Sequence, residues 1–238
     1  ISDDVAVTVN EAPPGGVFST QIRVSTGSDD AEESANGNVS LNSSDLELVS
    51  DGSGNQTVGL RFNGVDIPQG AIITNATIQF QVDERTSVAT SLIIQGQAAD
   101  NAPTFVNSNG NISSRPRTTA SVSWTPPAWN SIGAAGPDQQ TPNIAALLQE
   151  VIARPGWNSG NSVAVILTGS GERVAEAYNG VSAAAPLLIV EYSLESTTGA
   201  TEQDAQTIEA QGVLSKAATG NNARMDQIAV NERAKMML

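Results

Sequence analysis

Cysteine and histidine are both absent from the 238 residues. Without cysteine there is no thiol nucleophile, no disulfide framework and no thiolate metal site. Without histidine the commonest general base and the commonest transition-metal ligand are missing, so no Ser-His-Asp triad can form. Basic residues are scarce: 11 Lys plus Arg stand against 25 Asp plus Glu, for a formal net charge of −14. Phosphate backbones and anionic lipid surfaces repel such a chain, so a nucleic-acid partner is not expected. No apolar run approaches the roughly 18 residues that span a bilayer, so membrane insertion is not expected either. Aromatics make up only 4% of the residues.

What the chain does have is 21 glycines, 11 prolines and a 15% charged fraction, the composition of a turn-rich β protein. "DVAVTVN" alternates apolar residues at Val5, Val7 and Val9 before the break "APPGG". About ten strands follow at regular spacing, among them "VFSTQIRVS", "QTVGLRF", "SVAVILT" and "LLIVEY". In "IITNATIQFQV", Ile72, Ala76, Ile78, Phe80 and Val82 share one face and only Thr74 interrupts the row. Regular short strands predict an all-β, jelly-roll-like antiparallel sandwich rather than βαβ units. One short amphipathic helix interrupts, in "TPNIAALLQEVIARPGW". There Thr141 can cap, Pro142 takes the first helical position, and Ile144, Leu147, Leu148, Val151 and Ile152 form one apolar stripe. That helix is expected to plug one open end of the sandwich.

The chain divides by composition into an N-terminal strand and hinge (1–16), a β-sandwich (17–194) and an Ala/Gln-rich tail expected to be helical (195–238). Both lysines, Lys216 and Lys235, lie in the tail, and the chain begins at Ile rather than Met, as one whose signal peptide has been removed would. Ile208, Leu214, Met225, Ile228 and Met236 give the tail ragged apolar stripes. Helices of that length are marginal alone in water, so the tail is expected to dock, on its own chain or on another copy.

The run "VGLRFNGVDIPQGAIITNATIQFQV", then "SVSWTPPAWN", "RPGWNSGN", "VAVILTGSGERVAEAY" and "AAAPLLIVEY" in the same order, resembles the secreted DNRLRE-type β-sandwich modules that are grouped with alginate-binding carbohydrate modules. The resemblance covers about residues 17–193. It implies a jelly roll, an extracellular or cell-surface location, and either polysaccharide binding or a part in surface architecture. The letters that give the family its name do not occur here, and the tail lies outside the resemblance.

"GSDDAEES" concentrates four carboxylates, Asp29, Asp30, Glu32 and Glu33. Ca²⁺ takes six to eight hard oxygen ligands, and Asp45 and Glu47 on a following strand can complete such a cage as a structural site. The other reading is a solvated acidic loop. Asp83-Glu84 read as turn or cap residues. For a sugar, Trp129 in "PPAW" is the loop aromatic suited to stacking, with Arg115 and Arg117 as paired donors to an acidic saccharide. Trp124 and Trp157 are expected in the core. Two carboxylates suffice for glycoside hydrolysis, but no spacing here marks a pair, and "TGSGE" lacks the nucleophile-elbow pattern. An enzyme is therefore not expected.

The reading these features support is a non-catalytic structural subunit that assembles with copies of itself into a surface filament, fibre or matrix. Val5, Val7 and Val9 at one end and the tail stripes at the other are its connectors. The alternative is a carbohydrate-binding module for an acidic polysaccharide.

Overall fold

Thirteen strands and one α-helix order the residues that the computed structural model describes, 16–52 and 54–194. The strands are β1 (Val17–Arg23), β2 (Asp30–Ser34), β3 (Val39–Ser40), β4 (Asp45–Glu47), β5 (Ser50–Asp51), β6 (Gly54–Phe62), β7 (Ile72–Gln79), β8 (Val82–Glu84), β9 (Ser91–Gln97), β10 (Arg117–Trp124), β11 (Val163–Ser170), β12 (Val174–Glu176) and β13 (Leu187–Ser193), with α1 at Ala145–Ile152. The expected assembly residues Val5, Val7, Val9, Ile208, Leu214, Met225, Ile228 and Met236 lie outside the described residues.

Every pairing is antiparallel. The large sheet runs β10-β9-β11-β6-β2-β3, with β5 paired to β6, and two small sheets run β1-β13-β7 and β4-β12-β8. The chain passes from β7 to β8 through Phe80 and Gln81, and both small sheets share one hydrophobic core with the large one. Val58, Leu60 and Phe62 of β6 and Val163, Val165 and Leu167 of β11 meet Ile78, Leu188, Leu46 and Val82 across it. This is an all-β sandwich, as the strand spacing predicts.

The other face of the large sheet carries a second, smaller core. Ala31, Ala164 and Ile166 are covered there by Phe105 and Ile112 from the long connection after β9. Gly59 lies beneath Phe105, and a Cβ at that position would sit 2.5 Å from the ring. Arg115 fastens this cover. Its guanidinium lies 4.1 Å from the Phe105 ring centroid and donates to the carbonyls of Pro103, Thr104 and Asn111 and to Gln97 Oε1.

Two local expectations are corrected. In β7, Ile73 rather than Ile72 points inward, because the register jumps from Glu191 paired with Asn75 to Tyr192 paired with Ile73. Thr74 is the bulged residue; its Oγ1 donates to the Glu191 carbonyl at 3.1 Å. The residue that broke the apolar row is the one the bulge leaves unpaired. Likewise, α1 begins at Ala145 and Thr141 does not cap it. Thr141 Oγ1 instead accepts the Ile78 N–H at 2.9 Å, and Asn143 Oδ1 accepts both the Ala76 and Ala145 N–H groups. The apolar stripe is buried as expected. The helix packs against β7 and β10, the edge strands of two layers, so it closes a side of the sandwich rather than an end.

Candidate metal centre

Strand alternation disperses the acidic loop. Successive side chains of a strand point to opposite faces, so Asp30 and Glu32, opposite Leu60 and Val58, turn toward the main core side. Asp29 and Glu33 turn to the other face. All four are buried, between 1% and 6% exposed, so none is a solvated loop residue. Each finds protein donors. Arg61 Nη1 donates to both Asp29 oxygens at 2.9 and 3.0 Å, with Asn63 Nδ2 and Thr104 Oγ1 completing the set. Asp30 accepts the Tyr178 N–H at 2.6 Å, and Glu33 accepts those of Ile112 and Ser113 at 2.6 and 2.9 Å. Four carboxylates facing both sides of one sheet cannot share an ion. Asp29 and Glu33, with the sheet between them and Glu32, therefore leave the expected metal set. Asp30 shares the Glu32 face but is held by the Tyr178 N–H, and it is not among the acids that converge with Asp45.

Glu32 remains in it, because it faces a second acidic group. Glu32 accepts the Glu47 N–H at 2.8 Å and Gln56 Nε2 at 3.0 Å, and its carboxyl is also hydrogen-bonded to that of Glu47. In the β4-β12-β8 sheet, Asp45 lies directly opposite Glu176, and Val174 sits between Glu47 and Glu84. One oxygen from each of Asp45, Asp83 and Glu84 falls within 4.8 Å of the others, a spread that one Ca²⁺ with ligands at 2.3–2.6 Å accommodates. Behind them Asp83 and Glu176 share a side-chain hydrogen bond.

The corner thus gathers Glu32, Asp45, Glu47, Asp83, Glu84 and Glu176 from four strands. Among the described residues the ion pairs are Arg61–Asp29 and Arg154–Asp100, and neither reaches it. Like charges directly opposite on a sheet repel, and the protonation equilibria respond. Burial, then the neighbouring Glu47, pushes Glu32 up to about 9. Burial also raises Asp83, with the Asp45 charge adding to it and the hydrogen bond to Glu176 opposing it, and burial followed by the Asp83 and Asp45 carboxylates raises Glu176. Asp30, outside the corner, is pushed up to about 6 by burial. Without a cation, burial and the neighbouring acids favour the protonated forms of Glu32, Asp83 and Glu176. The chain turns tightly beside it: Val49, fully buried, adopts φ +76°, a left-handed conformation that a β-branched residue rarely takes.

Sequence spacing placed Glu32, Asp45 and Glu47 in this group but missed Asp83, Glu84 and Glu176. Those three sit on short strands far apart in the chain, and no local pattern joins them.

The residues expected to hold a saccharide are placed differently. Trp129 is 0% exposed; its Nε1 donates to the Asp138 carbonyl at 3.1 Å and its ring packs against Phe80 and Trp124. A ring enclosed in the core presents no face to a sugar, so that expectation is corrected. Trp124 and Trp157 are buried, as expected. Arg115 is committed to the Phe105 cover, where burial brings its guanidinium down to about 10, so it is not free for a uronate. Arg117 is half-buried at the start of β10, pairs in register with Gln97, and is lowered by burial against the opposing pull of Glu33. The three residues form no common site. A polar cleft of about 430 Å³ opens elsewhere, lined by Asn36, Asn55, Asn109, Ser113, Thr57 and Thr168.

A scan against protein-family models finds no match to this chain, and a search of the curated proteins finds none either. Among the described residues no helix is long and apolar enough to cross a membrane.

Proposed function

We propose that this chain is a non-catalytic structural subunit of an extracellular or cell-surface assembly, built from copies of itself and pinned at its β4-β12-β8 corner by Ca²⁺. The observation that carries the reading is the convergence of Asp45, Asp83 and Glu84 oxygens within 4.8 Å, backed by three further carboxylates, with neither ion pair of the described residues reaching the group. Hard, flexible, oxygen-rich coordination suits Ca²⁺ over Mg²⁺ or a transition metal. An ion there ties three short strands that few main-chain bonds hold, which is a stabilising role. The test is thermal unfolding in millimolar Ca²⁺ against EGTA at pH 8. A rise in Tm of about 5 °C or more, lost in the Asp45→Asn/Asp83→Asn double variant, is expected. An unchanged Tm sinks the cation reading.

A second reading, saccharide binding, is supported by the polar cleft. Its amide and hydroxyl lining suits hydroxylated ligands, and Asn109 Nδ2, donating to the Asn36 carbonyl at 3.0 Å, locks its two walls together. Its only carboxylate, Glu33, is already taken by two main-chain donors. Retardation in affinity gels containing neutral or uronate polysaccharides tests it, and equal mobility in every gel counts against it.

A further inference from the structure

Five Asn-x-Ser/Thr triplets occur in the chain, beginning at Asn38, Asn42, Asn55, Asn75 and Asn111. Each has the pattern that an N-glycosyl transferase reads, and working acceptors belong in surface loops. The chemistry explains why. An amide nitrogen is a weak nucleophile, because its lone pair is delocalised into the carbonyl. The transferase has to grip the Asn side chain together with the hydroxyl two residues on, which needs a backbone free to bend. A triplet held extended in a sheet ladder cannot bend.

The fold closes four of the five. After Asn38, Val39 and Ser40 are paired with Glu33 and Glu32 of β2. Asn55 and Thr57 are paired with Ser50 and Glu33, and Gln56 between them is buried. Asn75, Ala76 and Thr77 are paired with Glu191, Val190 and Ile189 of β13, with Ala76 and Thr77 buried. Asn111 lies in a loop, but its Oδ1 already accepts the Val106 N–H at 3.0 Å and Arg115 Nη2 at 3.2 Å. Ile112 beside it is fully buried in the second core, and Glu33 holds the Ile112 and Ser113 N–H groups.

Asn42-Ser43-Ser44 is open. The triplet lies in the connection between β3 and β4 and belongs to neither strand. Asn42 and Ser44 are both exposed, and among the described residues no hydrogen bond engages the Asn42 side chain. The connection is anchored on either side of Asn42. Asn179 Nδ2 donates to the Leu41 carbonyl at 3.3 Å, and the Ala177 N–H donates to the Ser44 carbonyl at 3.4 Å. Asn42 is thus presented to solvent from an arch that is tethered at its ends and unpaired at its centre. The strands it joins, β3 and β4, are the outer strands of the large sheet and of the β4-β12-β8 sheet.

We infer that Asn42 is an N-glycosylation site. The inference rests on the extracellular part of the reading above, since the transfer acts on exported chains. Asn42 Nδ2 forms a bond to the anomeric carbon of an oligosaccharide carried on a lipid phosphate or pyrophosphate. The bond from that carbon to the phosphate oxygen breaks, the phosphate leaves with the electron pair, and the amide proton passes to a base of the transferase. A bulky, hydrated glycan at this position stands between two short edge strands and shields both from pairing with other chains.

The test is mass spectrometry of the full chain recovered from the cells that make it, in separate extracellular and intracellular fractions. Electron-transfer fragmentation keeps a sugar on its residue and so names the site. The expected result is a glycan on Asn42 in the extracellular fraction and none on Asn38, Asn55, Asn75 or Asn111. Expressed in the same cells, Asn42→Gln and Ser44→Ala should lose the glycan and Ser44→Thr should keep it, which separates triplet-directed transfer from sugar on a serine hydroxyl. An extracellular chain with unmodified Asn42 overturns the site and leaves the extracellular reading standing. Sugar on any other of the five triplets overturns the selection of Asn42 by the fold. An unmodified chain found only inside the cells overturns both readings.

Discussion

Arg61 and Asp29 close a buried, two-pronged ion pair across β6 and the turn before β2, at 2.9 and 3.0 Å, with Asp29 only 1% exposed. Arg61 also donates to the Ala102 carbonyl and to Ser162, so one guanidinium ties the acidic turn to the cover of the second core. Breaking a buried pair from one side strands a charge, which costs about 3–5 kcal/mol. Arg61→Met is therefore expected to lower the unfolding free energy by that amount, read as a lower denaturation midpoint at an unchanged m-value. Asp29→Asn in the same background should recover part of the loss. A stability change under about 1 kcal/mol would show that the pair carries little of the fold.

Stability of the cation-free domain is expected to fall as pH rises from about 4 to 9. Asp30 and Glu32 are raised in the folded state, to about 6 and about 9. Raised groups bind protons more tightly folded than unfolded, so their contribution is complete below their ordinary values near 4 and is lost as pH climbs through 6 and then 9. Each group can contribute at most about 1.4 kcal/mol per pH unit within its window. Glu32→Gln keeps a carbonyl oxygen for Glu47 N–H and Gln56 Nε2 and adds a donor toward the Glu47 carboxylate. That variant should flatten the limb between pH 6 and 9 and be the more stable protein at pH 8 in EGTA. Stability that instead climbs from pH 5 to 8 in EGTA contradicts this account.

The β-sandwich was legible in the chain because strand alternation is a two-residue pattern, readable wherever one face is buried. Val58, Leu60 and Phe62, and Ala76, Ile78, Phe80 and Val82, lie inward as their spacing indicates. The Thr74 bulge was not legible as such, since an inserted residue is recognised only against its partner strand. The candidate cation corner was half legible. Glu32, Asp45 and Glu47 lie near one another in sequence, whereas Asp83, Glu84 and Glu176 arrive through β8 and β12, whose pairing no local signal encodes. The acidic loop misled for the same reason: clustering in sequence says nothing about which face of a strand each carboxylate takes.

Trp129 is a core residue, and its replacement should act on folding. Trp129→Ala removes a fully buried ring packed on Phe80 and Trp124 together with the Nε1 bond to Asp138. The expected cost is about 3–5 kcal/mol, read as a drop in Tm. In affinity gels the folded fraction should migrate as the unchanged protein does. Selective loss of saccharide retardation at full stability would return the ring to a binding role.

Asn143 does two jobs with one oxygen. Its Oδ1 accepts the Ala76 N–H at 3.0 Å on the edge of β7 and the Ala145 N–H at 2.8 Å at the start of α1. Ala76 is fully buried, so removing the acceptor leaves a buried donor without a partner. It also removes the side chain that satisfies the first turn of the helix. Asn143→Ala is expected to cost about 1–3 kcal/mol. Asn143→Asp keeps the acceptor and should restore most of it. Global stability alone would not separate a cap from ordinary packing. Amide exchange does: Ala76 and Ala145 should both lose protection in Asn143→Ala, ahead of Ile78, whose N–H is held by Thr141. Uniform loss across β7 would mean that the strand melts as a unit and that its edge is not secured residue by residue.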